Sequence, residues 1–565
     1  MIDGESRREL IEIDGYCDEA ESRFGGKLEF GTAGLRGIMG AGTYRMNVYT
    51  VCQATKALAM YVNKYINKNA GDGSKNGVII AYDSRNNSRI FAEAAACTLV
   101  ECGIKVYLFD DIRPTPELSF ALQHLNCAAG INITASHNTK EYNGYKVFWS
   151  DGAQIMPSIA AEMAEMIDAI DPLESVFKTD FASCVNSGMV QVIGDEIDER
   201  YIERVLNTSL ADDNTKEVFK EMKMVYTPLH GAGYKLVPAV LKRLGLSEIY
   251  TVESQMIPDG DFPTVESPNP ENAEAFAAAI ELAKGLNVDL ITGTDPDCDR
   301  VGALYRNKNG EYTVLSGNQI GILLLDYVIQ ARKNKNNLPE DAFAVKTVVT
   351  SFMADAICEM NGVRCDNVYT GFKNIGEKIA DAEACGYGTF IFGYEESHGY
   401  LGGTYAKDKD GAGGVMLLAE AAAYHRVNGR SVEEALLGLY ENYGHYAEKT
   451  VSRTITGLKP IQKMKEIMEK LRSERISMLD GESVESVIDY LNNTRTYTDG
   501  RVESINMQPS DILAYILKDG TRAIIRPSGT EPKVKFYILT KASVRDEAVK
   551  RINRIEEALN GLIAD

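Results

Sequence analysis

The sequence predicts an α/β protein made of three related mixed α/β domains followed by a smaller α+β domain at its C-terminal end. Two observations carry the prediction: short β-branched runs recur between Ala- and Leu-rich stretches, and the texture changes near the end of the chain. The first unit reads GVIIAY (77–82), then RIFAEAAACTLVECG, then KVYLF (105–109), which is strand, helix and parallel strand. Strands of the same kind, each running into a polar, Gly-rich loop, recur at KMVYTPLHGAG (223–233), VDLITGTD (288–295), AVKTVVTS (344–351) and GTFIFGYEESHGY (388–400). From RTYTDGRVES onward, short strands alternate with turn signals such as Asp-Gly and close on a charged helix over 545–564. Charged or Gly-containing connectors place the expected domains at 1–198, 199–316, 317–447 and 448–565. At about 150 residues per domain, 565 residues need several cores.

Composition narrows the class of function. Hydrophobic residues make up 44% and charged residues 25%, as in ordinary folded proteins. A net charge of -21 and a pI near 4.9 argue against nucleic acid and anionic membranes, which are held mainly by basic patches. A phosphorylated metabolite remains compatible with that charge if Lys and Arg gather locally in a cleft, and the local motifs must decide. Ten cysteines run from Cys17 to Cys385 without a CxxC pair and read as reduced packing residues. The opening MIDGESRREL has no apolar core of a signal peptide, and no run of 18 apolar residues occurs, so a cytoplasmic protein is expected.

Loops at the carboxyl ends of parallel strands are where open α/β sheets place ligands, and the chemically suggestive residues cluster there. In INITASHNTKEYNGYKVF (131–148) an apolar strand ends at Ser136, whose hydroxyl is expected on a loop. His137 is adjacent, but neighbouring side chains usually point apart, which disfavours a hydrolase triad; a turn serine is the alternative. In GTDPDCDR (293–300), Asp295, Asp297 and Asp299 alternate, so in an extended segment three carboxylates would face one hard cation, Mg²⁺ before Zn²⁺. An EF-hand is excluded, since its sixth and twelfth positions would be Arg300 and Arg306. A solvated Asp-rich turn is the alternative, although three close carboxylates repel unless a cation compensates.

RPSGTEPKVKFY (526–537) collects anion-binding parts: Arg526, Ser528, Gly529, Thr530 and Lys535. It lacks the Walker A pattern, and a hairpin turn with incidental charges is the competing reading. FGYEESHGY (392–400) offers Glu395, Glu396, Ser397 and His398 for acid–base work or for sugar hydroxyls. Adjacent carboxylates are poorly placed for glycosidase chemistry. EFGTAGLRGIMG (29–40) brings Arg36 on a Gly-rich segment that does not fit a dinucleotide fingerprint.

Taken in order, FGTAGLRG, TASHNTKEYNGYK, GTDPDCDR, GYEESHG and RPSGTEP resemble the α-D-phosphohexomutase superfamily over nearly the whole chain. The resemblance implies four domains around a central cleft and a phosphoryl transfer through Ser136. It implies Mg²⁺ held by Asp295, Asp297 and Asp299 with a phosphate oxygen on Ser136. It places Arg36, His137, Lys146 and Arg300 around the transferring phosphate, with Lys146 as general acid or base. Lys373, Glu395 and Ser397 become sugar-phosphate contacts, and Arg526, Ser528, Gly529, Thr530 and Lys535 hold the phosphate that is not transferred. Sugar phosphates are the implied partners, with glucose 1,6-bisphosphate as intermediate and activator. Glu-Glu-Ser in the sugar loop favours glucose over mannose within the superfamily. The longer GYEESHGYLGGTYAKDKDG (393–411) resembles a long-chain branch of bacterial phosphoglucomutases and animal phosphopentomutases. His398 and Lys535 depart from the usual pattern, and a Lys does not reproduce the bidentate grip of an Arg. A metal-dependent phosphatase fits less well, because the six histidines show no ligand spacing. A sugar-phosphate binding protein without catalysis is the remaining alternative.

Overall fold

The structure is a computed structural model that describes residues 2–68, 77–455, 460–474, 476–527 and 533–562. The chain forms two compact units, Met1–Lys346 with Gly371–Glu433, and Thr347–Thr370 with Glu434–Asp565.

The first unit contains sheets built on one plan. In the first sheet, Val78–Tyr82, Val106–Phe109, Ala129–Ile133 and Val190–Ile193 run parallel, and Tyr142–Trp149 and Leu35–Ile38 are added antiparallel at one side. Every residue of Val78–Tyr82 is buried, as expected of a parallel strand covered on both faces. Val78, Ile80 and Tyr82 share a core with Leu58 and Phe91, while Ile79 faces Leu118 and Leu122 across Gly130. Each such side chain stabilises the fold by roughly 1.5–3 kcal/mol on burial.

The second sheet repeats the pattern: Lys223–Thr227, Glu248–Thr251 and Leu290–Thr294 are parallel, and Val301–Arg306 and Tyr312–Leu315 return antiparallel. In the third, Ala342–Thr347 and Thr389–Glu395 are parallel, and Gly399–Leu401 returns antiparallel. Three loops are therefore equivalent: 134–141, 295–300 and 396–398 each join a parallel strand to its antiparallel return. They are the loops that carry Ser136, the three aspartates and Glu396–His398.

In the second unit an eight-stranded sheet has the antiparallel neighbours His445–Thr454, Lys533–Ala542, Arg522–Pro527 and Leu513–Leu517 in that order. Val534, Phe536 and Ile538 pack on one face with the helices Pro460–Ser473 and Arg545–Leu562, and Tyr537 and Leu539 pack on the other with Val348 and Val349. That alternation is the period of two read in the sequence. Among the described residues no helix is long and apolar enough to cross a membrane.

The helix Gly411–Val427 of the first unit is buried along most of its length, His425 included. Burial, with Arg430 nearby, pushes the His425 imidazole down to about 4. The unfolded chain, with an ordinary histidine near 6.5, binds the proton more readily, so stability falls as pH drops from about 6.5 toward 4, by on the order of 3 kcal/mol. Denaturant titrations at pH 7 and pH 4 should show this loss in the parent and a smaller one in His425→Leu; equal losses would remove His425 as the cause.

Candidate active site

Ser136 follows the strand Ala129–Ile133 in the left-handed region, with φ 52°. The loop around it is shaped by a buried guanidinium: Arg85 donates to the carbonyls of Ser136, Asn138, Thr139 and Tyr142 and pairs with Asp83. Asp83 in turn accepts from Thr134 Oγ1 at 2.6 Å, and Thr134 Oγ1 accepts from the Ser136 amide at 2.8 Å. This lattice fixes a conformation a serine does not choose freely. Ser136 is thereby buried rather than displayed, with its Oγ donating to Asp295 Oδ2 at 2.7 Å.

The sequence led us to expect Ser136 and His137 to point apart; instead Ser136 Oγ lies 3.2 Å from His137 Nδ1, because the left-handed turn swings the two side chains together. A triad still does not form: among the described residues no carboxylate accepts from the His137 ring. Burial, then Arg300 and Arg36, push the imidazole well below its usual range, so it stands neutral beside the hydroxyl.

The aspartates converge by a different route from the extended segment expected. Residues 295–300 form a tight turn with Cys298 at φ 52°, closed by Asp295 Oδ1 accepting from the amides of Asp299 and Arg300 at 3.0 Å each. Gly411 permits the backbone contact that braces this turn: its N–H donates to Cys298 O at 3.0 Å, and a Cβ there would stand 2.5 Å from that oxygen. The result brings ligand oxygens of Asp295, Asp297 and Asp299 within 4.8 Å of one another, all buried. Asp297 Oδ1 and Asp299 Oδ1 are buried without a hydrogen-bond partner. Buried, unsatisfied carboxylate oxygens in a converging set are what a divalent cation with oxygen ligands requires, so the residues fit a metal of the Mg²⁺ kind.

Cations surround the carboxylates. Lys146, on Tyr142–Trp149, lies 2.7 Å from Asp297 Oδ2 and 3.3 Å from Asp299 Oδ2, and Lys409 lies 3.1 Å from Asp299 Oδ2. Burial works against the Lys146 charge, but Asp297 and Asp299 outweigh it and raise the ammonium above its ordinary range. Burial alone would push Asp299 up; Lys409, Lys146 and Arg300 hold it low instead. Asp295 accepts from Ser136 and is pushed well up by burial and by its two neighbours. Arg300 pairs with Glu271 and keeps a buried Nε without a partner, and Arg36 donates to Asn138 Oδ1 at 3.0 Å.

The sugar-loop residues take separate positions. Glu395, at the end of its strand, accepts from the Gly371 amide at 2.7 Å; burial raises it to about 7 despite Lys409. Ser397 is half-buried in the turn that follows, and Lys373 is half-buried on the helix Phe372–Cys385. His398 is a core residue, with Nδ1 3.0 Å from Val301 O, and ties the loop to the neighbouring strand. In the second unit Arg526 and Lys535 are direct cross-strand partners, two like charges side by side, and Arg526 donates to Thr370 Oγ1. Ser528, Gly529 and Thr530 lie outside the described residues.

With this geometry in place, comparison with known proteins is decisive. Residues 27–174, 199–310 and 316–443 match alpha/beta/alpha domains I, II and III of phosphoglucomutase/phosphomannomutase, and 463–554 match its C-terminal domain. The chain belongs to the phosphoglucomutase/phosphomannomutase family. Phosphoglucomutase of Staphylococcus saprophyticus is 33% identical over 94% of this chain and 94% of that protein. Phosphoglucomutase of Staphylococcus aureus N315 is 34% identical over 95% and 93%. Among solved structures, the phosphoglucomutase parafusin of Paramecium shares the fold with TM-score 0.67 at 17% identity, covering 95% of this chain and 96% of that one. A phosphoglucomutase/phosphomannomutase family protein of Burkholderia thailandensis does so with TM-score 0.67 at 17% identity, covering 94% and 97%. As a phosphoglucomutase/phosphomannomutase family member, the chain is a mutase of the isomerase class, of phosphoglucomutase type.

Sequence reading missed four residues that shape or border the cluster around Ser136 and the three aspartates. Arg85 and Asp83 sit in a YDSR segment at the carboxyl end of a parallel strand, the position that should have flagged them. Thr115 donates to Asp297 Oδ2 at 2.6 Å from the first residue of a helix, and no sequence signal marks it. Lys409 lies in AKDKDG, which reads as a solvated charge run but is buried.

Proposed function

We propose that the protein interconverts glucose 1-phosphate and glucose 6-phosphate through a phosphorylated Ser136 and a glucose 1,6-bisphosphate intermediate. The observation that carries this reading is the Ser136 hydroxyl at 2.7 Å from a buried cluster of three aspartates ringed by Lys146, Lys409 and Arg300. A triad hydrolase would need a base oriented by a third group, and among the described residues no carboxylate orients His137.

In the forward half-reaction a sugar hydroxyl attacks the phosphorus on Ser136; the new P–O bond forms as the bond to Ser136 Oγ breaks, Lys146 gives a proton to the departing Oγ, and the proton of the attacking hydroxyl replaces it on Lys146. In the return half, Ser136 Oγ takes the other phosphate of the bisphosphate. Here too Lys146, held as an ammonium, protonates the sugar oxygen that leaves as its bond to phosphorus breaks and recovers a proton from the Ser136 hydroxyl that attacks, while Arg36 and Arg300 neutralise the equatorial oxygens. Asp295, Asp297 and Asp299 would hold Mg²⁺, which would supply charge neutralisation to the phosphoryl group. Glu395 and Ser397 accept and donate to sugar hydroxyls, and Lys373 contributes a further cation. Arg526 and Lys535, cross-strand neighbours of like charge, hold with Ser528, Gly529 and Thr530 the phosphate not being transferred.

Phosphomannomutase or phosphopentomutase activity would use the same chemistry, so the test is comparative. With Mg²⁺ and a trace of glucose 1,6-bisphosphate, turnover of glucose 1-phosphate should exceed that of mannose 1-phosphate and ribose 1-phosphate by at least about tenfold in kcat/KM, the discrimination of roughly one good hydroxyl contact. A preference for either rival corrects the sugar. No turnover on any of the three returns the chain to a binding role.

A further inference from the structure

The first unit contains a second cavity, of about 490 Å³, that shares no residue with the Ser136 cluster. It is walled by the segment 207–210, the end of the helix Gly317–Asn334, the helix Phe372–Cys385, the start of the strand Thr389–Glu395 and the segment 402–404. That volume lies in the range of small-molecule sites.

Arg332 is the unusual group on its wall. The side chain is half-buried, its Nε is withdrawn from solvent without a hydrogen-bond partner, and among the described residues no carboxylate pairs with it. Burial alone lowers its pKa, with no opposing charge to compensate. An unsatisfied buried donor costs free energy, and a charged one more. The helix end does not account for it. The amides of Lys335, Asn336 and Asn337 already cap the carbonyls of Ala331, Lys333 and Arg332, with Asn336 in the left-handed region.

The remaining charges leave the cavity positive. Lys335 adds a second cation, its Nζ donating among the described residues to Ala211 O at 3.2 Å. Glu383 is the carboxylate on the wall, and it is committed to Lys407 at 3.0 Å. Behind the wall, Glu420 is saturated by Ser209 Oγ, the Leu210 amide and Tyr327 OH, and burial raises its pKa. Asp212, near Lys335, caps the following helix by accepting from the Thr215 amide.

We propose that this cavity is a second anion site that binds a small phosphorylated metabolite, its phosphate held between Arg332 and Lys335. The site is independent of which sugar the Ser136 cluster turns over. Glycerol 3-phosphate serves as probe, being too short to span the mutase reaction, and is titrated calorimetrically into the full-length protein. Binding is expected, and Arg332→Met should weaken it at least tenfold, with Lys335→Met weakening it also, while turnover of glucose 1-phosphate stays unchanged in both. If Arg332→Met lowers the melting temperature, Lys335→Met carries the comparison. Crystals soaked in sodium selenate should show the anion against Arg332, displaced by glycerol 3-phosphate. Affinity unaltered by both substitutions, or anion density only at Ser136 or Arg526, overturns the proposal. Selenate density that glycerol 3-phosphate does not displace means an adventitious ion only, and overturns it equally.

Discussion

Replacing Ser136 by Ala should lower turnover of glucose 1-phosphate by about 10⁴-fold or more, because the proposed route runs through one oxygen that alanine lacks. The substitution should leave the fold intact. The contacts that shape the loop use the backbone of residue 136: its amide donates to Thr134 Oγ1 and its carbonyl accepts from Arg85. What is removed is the hydroxyl and its bond to Asp295. Intact-mass analysis after incubation with glucose 1,6-bisphosphate should show one added phosphoryl group in the parent, mapped to the peptide containing Ser136, and none in Ser136→Ala. Retained turnover in the variant, or phosphate on another residue, would sink the assignment. A loss of turnover accompanied by a large fall in melting temperature would instead point to a damaged loop, and Ser136→Gly, which lacks the hydroxyl but adopts the positive φ without strain, separates the two.

How far the site could be read from the sequence depends on whether its residues are contiguous. The α/β class and the strands near 78, 106, 223 and 290 follow from local patterns, since a fully buried parallel strand is an unbroken apolar run. The aspartate cluster was legible from spacing even though the physical reason differed: a closed turn, not an extended segment, brings the oxygens together. Lys146 and Asp297 stand 151 positions apart, and nothing local announces that they meet. Lys409 is harder still, since its charged neighbours suggest solvent whereas the fold buries it against Asp299. The contact between Ser136 and His137 depends on a positive φ at a serine, which sequence preferences argue against and only the Arg85 lattice explains.

Removing divalent cations by exhaustive chelation should lower turnover by at least about 100-fold, and added Mg²⁺ should restore it. The reason lies in the charge balance of the cluster. Three buried carboxylates within 4.8 Å repel one another; Lys146 meets Oδ2 of Asp297 and Asp299, and Lys409 meets Oδ2 of Asp299 while also pairing with Asp408. The opposite oxygens, Oδ1 of Asp297 and Asp299, stay buried and unsatisfied, so the side chains of the protein do not complete the site. A cation that binds the folded state and not the unfolded chain also stabilises it, by about 2.7 kcal/mol at a hundred times its dissociation constant. The midpoint of denaturant unfolding should therefore rise with Mg²⁺ in the parent and much less in Asp297→Asn, which keeps the size of the side chain while removing its charge. This stability readout does not depend on turnover, so it tests the metal site even if the preferred sugar proves to be another. Full activity after chelation, together with an unfolding midpoint indifferent to Mg²⁺, would show that the aspartates serve the cations around them and not a metal.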